Sequence, residues 1–173
     1  MKGRSQSPPA VPYSEMVWSW IGSFIGILLV AVCHWGWALK GLDMVMIIGS
    51  FGASAVLAYG AIASPLAQPR NLCGGHFFSA LVGVTCFKLF PESPELASAL
   101  AVSLAITVMH LTRTLHPPGG ATALIAVIGS ARVHDLGYLY AFVPALSGAL
   151  LMLVVALVVN NLAPTRQYPE FWL

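Results

Sequence analysis

A chain of 173 residues with 58% hydrophobic and 8% charged residues, and a mean hydropathy of +0.82, lies outside the composition of a soluble domain, where about a quarter of residues are charged. This is the composition of an integral membrane protein, and the lipid bilayer is its expected partner. A net charge of +2 carried by singly scattered basic residues argues against nucleic acid, and Cys33, Cys73 and Cys86 lack the CxxC spacing of a zinc site or a disulfide framework.

Residues 1–15 form a polar tail without the charged, apolar and small-residue order of a cleaved signal, so the first apolar segment is expected to be retained. A span over 17–39 follows, with Trp18 and Trp20 at one end and Trp35 and Trp37 at the other as interfacial belts. The next span, 44–63, spreads Gly49, Gly52, Ala53, Ala55 and Gly60 along its length, which suits close helix packing. It ends at Ser64-Pro65-Leu-Ala-Gln68-Pro69-Arg70-Asn71, and Cys73-Gly74-Gly75-His76 opens a short helix, 75–90. After the polar turn PESPE comes the span 96–115, with His110 and Arg113 three residues apart on one face.

At His116-Pro117-Pro118-Gly119-Gly120 a helix is expected to break and another to start, because proline lacks an amide hydrogen and disfavours helix in the residue before it. The new helix, 119–131, reaches only about 20 Å, so its start lies below the membrane surface. A last span, 138–159, carries Pro144 as a kink or early-turn proline, and residues 161–173 form a tail along the interface.

The expected fold is therefore all-α: one membrane domain, 16–160, with long spans at 17–39, 44–63, 96–115 and 138–159 and two short helices at 75–90 and 119–131. If all six cross, Lys2, Arg4, Arg70, Arg113 and Arg166 share one side, while Lys40, Lys88 and Arg132 share the other. The positive-inside rule makes the first side cytoplasmic, with both termini there. Residues 44–83 and 97–129 also match weakly as an internal repeat of small-residue helix, proline corner, glycine pair and apolar helix. Paired breaks in two repeats point to a transporter's binding site.

These corners supply the candidate site. Glycines at a helix start leave amide hydrogens open to a ligand, and the positive helix end with nearby arginine favours an anion. The candidate substrate-binding residues are Arg70, Asn71, Gly74, Gly75, His76, His110, Arg113, His116, Gly119, Gly120 and Thr122, with His110 or His116 able to carry a proton. No metal, cofactor or catalytic set is expected, since no acid or thiolate stands at ligand spacing from the histidines.

The segments TRTLHPPGGATAL, SPLAQPRNLCGGH (64–76) and NNLAPTRQYP (160–169) resemble the HPP family of small integral membrane proteins, whose motif stands here as His116-Pro117-Pro118. The resemblance covers nearly the whole chain after residue 15. It implies about four membrane spans and a transporter, and because plant and cyanobacterial members are implicated in nitrite transport it implies a nitrite-like small inorganic anion. Composition and spacing leave nitrite, nitrate, formate and chloride open, and channel and carrier alike. The absence of a Ser- and Arg-rich transit leader points to a bacterial inner membrane, and six short helices to a homo-oligomer. A non-transporting helper or sensory subunit and, less favoured, a membrane-embedded enzyme are the rival readings; the chain is read as not an enzyme.

Overall fold

Prolines, more than glycines, decide where the helices of this chain begin. The structure, a computed structural model, describes residues 10–39 and 47–173, and three of its helices carry proline at the first position. Proline there gives up an amide hydrogen that has no partner in a first turn, and its fixed φ suits the helix. In chain order the helices are α1 (Tyr13–Leu39), α2 (Ser50–Ala55, prolonged by a π turn at Val56–Gly60), α3 (Pro69–Leu89), α4 (Pro94–Leu111), α5 (Pro117–Ile128), α6 (Ala131–Leu136) and α7 (Ser147–Leu162). A 3-10 turn at Pro65–Ala67 leads into α3, and a 3-10 turn at Gly137–Ala141 and a π turn at Phe142–Leu146 join α6 to α7. There is no strand among the described residues.

Four stretches are long and apolar enough to cross a bilayer: Tyr13–Gly36, Pro69–Leu89, Pro94–Leu111 and Ala131–Leu162. With the shorter α2 and α5 they make the six-helix, all-α bundle that the sequence predicts. Two of the lengths change places, however. The long span expected at 44–63 is described as helix only over Ser50–Gly60, residues 44–46 lying outside the described residues. The short helix expected at 75–90 is instead the 21-residue α3. Pro69 starts α3 six residues before Gly75, and the glycine pair is carried inside the helix because Thr114 and His116 pack directly against it. Tertiary contact here outweighs the roughly 1 kcal/mol that each interior glycine costs a helix.

The remaining boundaries also shift for identifiable reasons. Helix α4 ends at Leu111, four residues before the expected end, because Arg113 adopts φ 57 and the amides of Arg113 and Thr114 turn back to the carbonyls of His110 and Met109 at 3.1 and 2.8 Å. That is a Schellman closure with arginine where glycine is usual. Helix α5 begins at Pro117 rather than 119. The last span is longer than 138–159 and is interrupted at Val143 (φ −135, ψ 112), the residue before Pro144.

Hydrogen bonds sort the helix ends into two groups. At one end Arg70 reaches the Thr112 carbonyl, Tyr168 the Ala67 carbonyl, and Arg166 the Tyr59 carbonyl and Glu15. At the other, Lys88 lies over the Tyr138 ring and His134 stacks on Phe87. Arg70, Arg113 and Arg166 thus share one end and Lys88 and Arg132 the other. Lys2, Arg4 and Lys40, and the Trp37 side chain, lie outside the described residues.

Arg166 is the main fastening at the first end. Its guanidinium is buried and donates to Glu15 Oε2 (2.7 Å), the Glu15 carbonyl (2.7 Å), Ser19 Oγ (2.9 Å), Asn160 Oδ1 (3.0 Å) and the Tyr59 carbonyl (3.1 Å), tying α1 to α7 and to the π turn. Beside it, Gly22 lets α1 settle on Tyr59: a β-carbon there would stand 2.8 Å from the ring. The C-terminal segment folds over the helix ends, with Tyr168 buried and the Glu170 amide donating to Gln68 Oε1 at 2.9 Å.

Candidate functional site: a buried histidine pair between two proline corners

Ser50 and Ser54 lie four residues apart, so α2 presents both from one face. That face meets His76, in the second turn of α3, His116, the residue before α5, and Thr122, in the second turn of α5. Ser54 Oγ stands 2.7 Å from His76 Nε2 and 2.8 Å from His116 Nε2, bridging the two rings. Their centroids are 5.1 Å apart at 63°. His76 Nδ1 lies 2.7 Å from Thr122 Oγ1, which is 2.9 Å from Ser50 Oγ, and His116 Nδ1 lies 2.8 Å from the Leu66 carbonyl. Phe51 closes edge-to-face on His76, and the Tyr140 hydroxyl donates to the Thr122 carbonyl at 3.1 Å. Ser54, His76, His116 and Thr122 are each 0% exposed.

The carbonyl end fixes the direction of the network. A carbonyl only accepts, so His116 Nδ1 carries a hydrogen, and in the neutral ring Nε2 then accepts from Ser54 O–H. Ser54 Oγ accepts in turn from His76 Nε2–H, and His76 Nδ1 accepts from the Thr122 hydroxyl. Each ring nitrogen of the two histidines, and the Ser54 and Thr122 hydroxyls between them, thus finds a partner. Removing any one member therefore leaves a stranded donor or acceptor, worth about 1–3 kcal/mol.

The corners themselves interlock. The Arg70 guanidinium donates to the Thr112 carbonyl at 2.7 Å and Asn71 Nδ2 to the Leu115 carbonyl at 2.8 Å, so the start of α3 covers carbonyls left open where α4 ends. The glycines serve this contact. A β-carbon on Gly74 would stand 2.5 Å from Thr114 Cγ2, one on Gly75 would strike His116 Cβ and stand 3.0 Å from the Thr114 carbonyl, and one on Gly119 would meet Ser79 Oγ at 2.7 Å and the Gly75 carbonyl at 2.8 Å. His116 thereby sits level with Gly75, about 9 Å along α3 from its start at 1.5 Å per residue.

This changes how the candidate residues are read. The expectation of bare amides at the glycine pairs does not fit: Gly74 and Gly75 lie inside α3, the first two residues of α5 are prolines, and the Gly119 amide donates to the His116 carbonyl at 2.7 Å. Arg70, Asn71, Gly74, Gly75, His76, His116, Gly119 and Thr122 are brought together. Gly120 is partly exposed on the far side of α5. His110 is exposed and lines an outward groove between α4 and α5 with Met109, Pro117 and Leu124. Arg113, expected on the same helical face as His110, lies past the end of α4 and is exposed. Ser50, Ser54 and the Leu66 carbonyl escape a reading by residue type, although serines four apart in a small-residue helix were a usable signal. The partners of the two imidazoles are hydroxyls and a carbonyl, and no group of three or more His, Cys, Asp or Glu suited to a metal occurs among the described residues.

A profile described as the HPP transmembrane region matches residues 8–169, nearly the whole chain and all of the network. The chain belongs to the HPP transmembrane family. Two curated proteins of Dictyostelium discoideum, each described as a transmembrane protein, are 51% and 50% identical to it over 99% and 98% of this chain. The match spans 55% and 60% of those relatives' own lengths. No solved structure matches. Family and apolar helices together make this HPP chain a multi-pass membrane protein, and the His116-Pro117-Pro118 motif is where its two proline corners meet.

Proposed function

We propose that the protein moves a small monovalent inorganic anion across the membrane, nitrite being the first candidate by family resemblance. One observation carries this reading: two ionisable histidines, fully buried and held by hydroxyls, stand where two proline-started helices meet inside a membrane bundle. Ionisable groups at such depth are costly and mark solute or proton pathways. Arg70 and Arg113 at the nearby helix ends supply the positive charge that draws an anion toward the corners, and Gly119 and Thr122 border the histidines. By the positive-inside rule the arginine-bearing end faces the cytoplasm, an inner membrane being the simplest setting.

The test is flux into proteoliposomes containing the full chain, with nitrite, nitrate, formate and chloride compared against protein-free vesicles. Protein-dependent entry of at least one anion, lost on Arg70→Ala with the protein still folded, is the expected result. Absence of flux for every anion removes the transport reading. It would favour a second one, a helper or sensory module.

A further inference from the structure

We infer that His76, Ser54 and His116 hold one exchangeable proton between them, and that this proton is taken up together with the anion, so that transport is electroneutral proton–anion co-transport. The coupling rests on the anion reading above; the shared proton rests on the geometry alone.

The network has a filled hydrogen-bond pattern for zero added protons and for one. With a proton added at His76 Nδ1, that nitrogen donates to Thr122 Oγ1, and the Thr122 hydroxyl turns to Ser50 Oγ at 2.9 Å or the Pro118 carbonyl at 3.3 Å. The charge then passes to the second ring by two concerted transfers. The His76 Nε2–H bond breaks and its proton joins Ser54 Oγ, while the Ser54 O–H bond breaks and its proton joins His116 Nε2, across 2.7 and 2.8 Å. His76 is left neutral with hydrogen on Nδ1, Ser54 is again a hydroxyl, and His116 is the imidazolium, still donating from Nδ1 to Leu66. Only hydroxyl rotations are needed. A second proton would put two cations 5.1 Å apart and point two N–H groups at one serine oxygen.

The surroundings say what must accompany that charge. Besides His76, the titratable groups on α3 are Arg70, Cys73, Cys86 and Lys88, and the buried tyrosines around the pair are Tyr140, bonded to the Thr122 carbonyl, Tyr59, bonded to the Met152 carbonyl, and Tyr168, bonded to the Ala67 carbonyl. Carboxylates are not among them: Glu15 pairs with Arg166, and no Asp or Glu among the described residues hydrogen-bonds to either ring. A buried cation without a resident counter-charge is strongly unfavourable. An anion arriving with the proton removes that penalty, and an empty, neutral network is the form that returns.

The experiment uses the full chain in phosphatidylcholine vesicles with nitrite as probe, a trapped pH dye, and valinomycin with potassium to set the voltage. Nitrite entry is expected to acidify the interior by one proton per anion beyond protein-free vesicles, without response to voltage. Ser54→Ala, which removes the bridging hydroxyl, is expected to lower this coupled flux by about tenfold or more. Nitrite flux that follows voltage without acidification, or a folded Ser54→Ala that matches the wild type, overturns the coupling. If the wild type moves no anion, the transport reading and the coupling fall together, and nitrogen-15 NMR of the wild-type imidazoles decides the shared proton separately. Both rings changing on one pH curve, totalling one proton, sustains it; two independent curves, or one unresponsive ring, overturns it.

Discussion

The corner Gln68-Pro69-Arg70 and the corner His116-Pro117-Pro118 use nearly the same residues and do different work. Both place proline at the first position of a helix and a polar residue just before it. The first lies at the bundle's end: Gln68 is pinned by donating to the Ile62 and Ser64 carbonyls at 2.9 Å each while accepting from the Glu170 amide, and Arg70 caps α4. The second lies one to two turns deeper, level with Gly75, where its polar residue is an imidazole wrapped by hydroxyls. Depth makes the difference. It is set by the early Schellman closure of α4, after which residues 114–116 run inward outside any helix, and by glycines that allow that chain to press on α3. Both polar residues are 0% exposed and need protein partners: Gln68 finds them in the turn before it and in the C-terminal segment, His116 in a side chain and a carbonyl from other elements.

The most damaging test of this contrast is made where the corners touch. Gly75→Ala would drive a methyl into His116 Cβ and the Thr114 carbonyl, and backbone on both sides has little room to retreat, so a loss of about 1–3 kcal/mol is expected, with the histidine pair displaced. Gly120→Ala is the control: its nearest neighbour would be Val102 Cγ1 at 3.8 Å, an ordinary contact. Thermal unfolding in detergent compares the two. Equal melting temperatures would mean that the corners are not held by backbone contact.

Next in size is the contrast between the two polar residues themselves. His116→Ala strands Ser54 and the Leu66 carbonyl in the interior and is expected to cost about 1–3 kcal/mol and to abolish anion flux. Gln68→Ala should leave flux intact while freeing the C-terminal segment, read as faster proteolysis after residue 163. A Gln68→Ala protein without flux would show that the outer corner shares the function of the deep one.

The class, the number of helices and the family were all legible in the sequence, because apolar length, small-residue content and the His116-Pro117-Pro118 motif are local properties. The lengths of α2 and α3 were not. Gly74 and Gly75 look like a helix start by propensity, and only the packing of Thr114 and His116 against them explains why α3 runs through. His76 and His116 could be singled out as polar residues at the proline corners, but their depth and their partners could not, and the histidine read as intramembrane, His110, lies exposed. Ser50 and Ser54 come from a different helix and are chemically ordinary until the fold sets them at 2.7–2.9 Å from imidazole or hydroxyl.

The smallest expected effect separates charge from backbone at Arg113. This residue holds φ 57 at the closure of α4, a conformation that costs an L residue about 1–2 kcal/mol and glycine almost nothing. Alanine there removes the guanidinium and keeps the strain, so its phenotype would be ambiguous. Glycine removes the charge and suits the turn: Arg113→Gly is expected to raise stability by about 1 kcal/mol or less after its extra unfolded-state entropy is counted. If the exposed guanidinium draws anions to the deep corner, the same variant slows flux at low salt and the deficit shrinks at high salt, since attraction between exposed charges is screened within about 10 Å at 0.1 M. A variant that is more stable and transports at the wild-type rate at every ionic strength would restrict Arg113 to ending a helix, and leave Arg70 as the nearer source of positive charge.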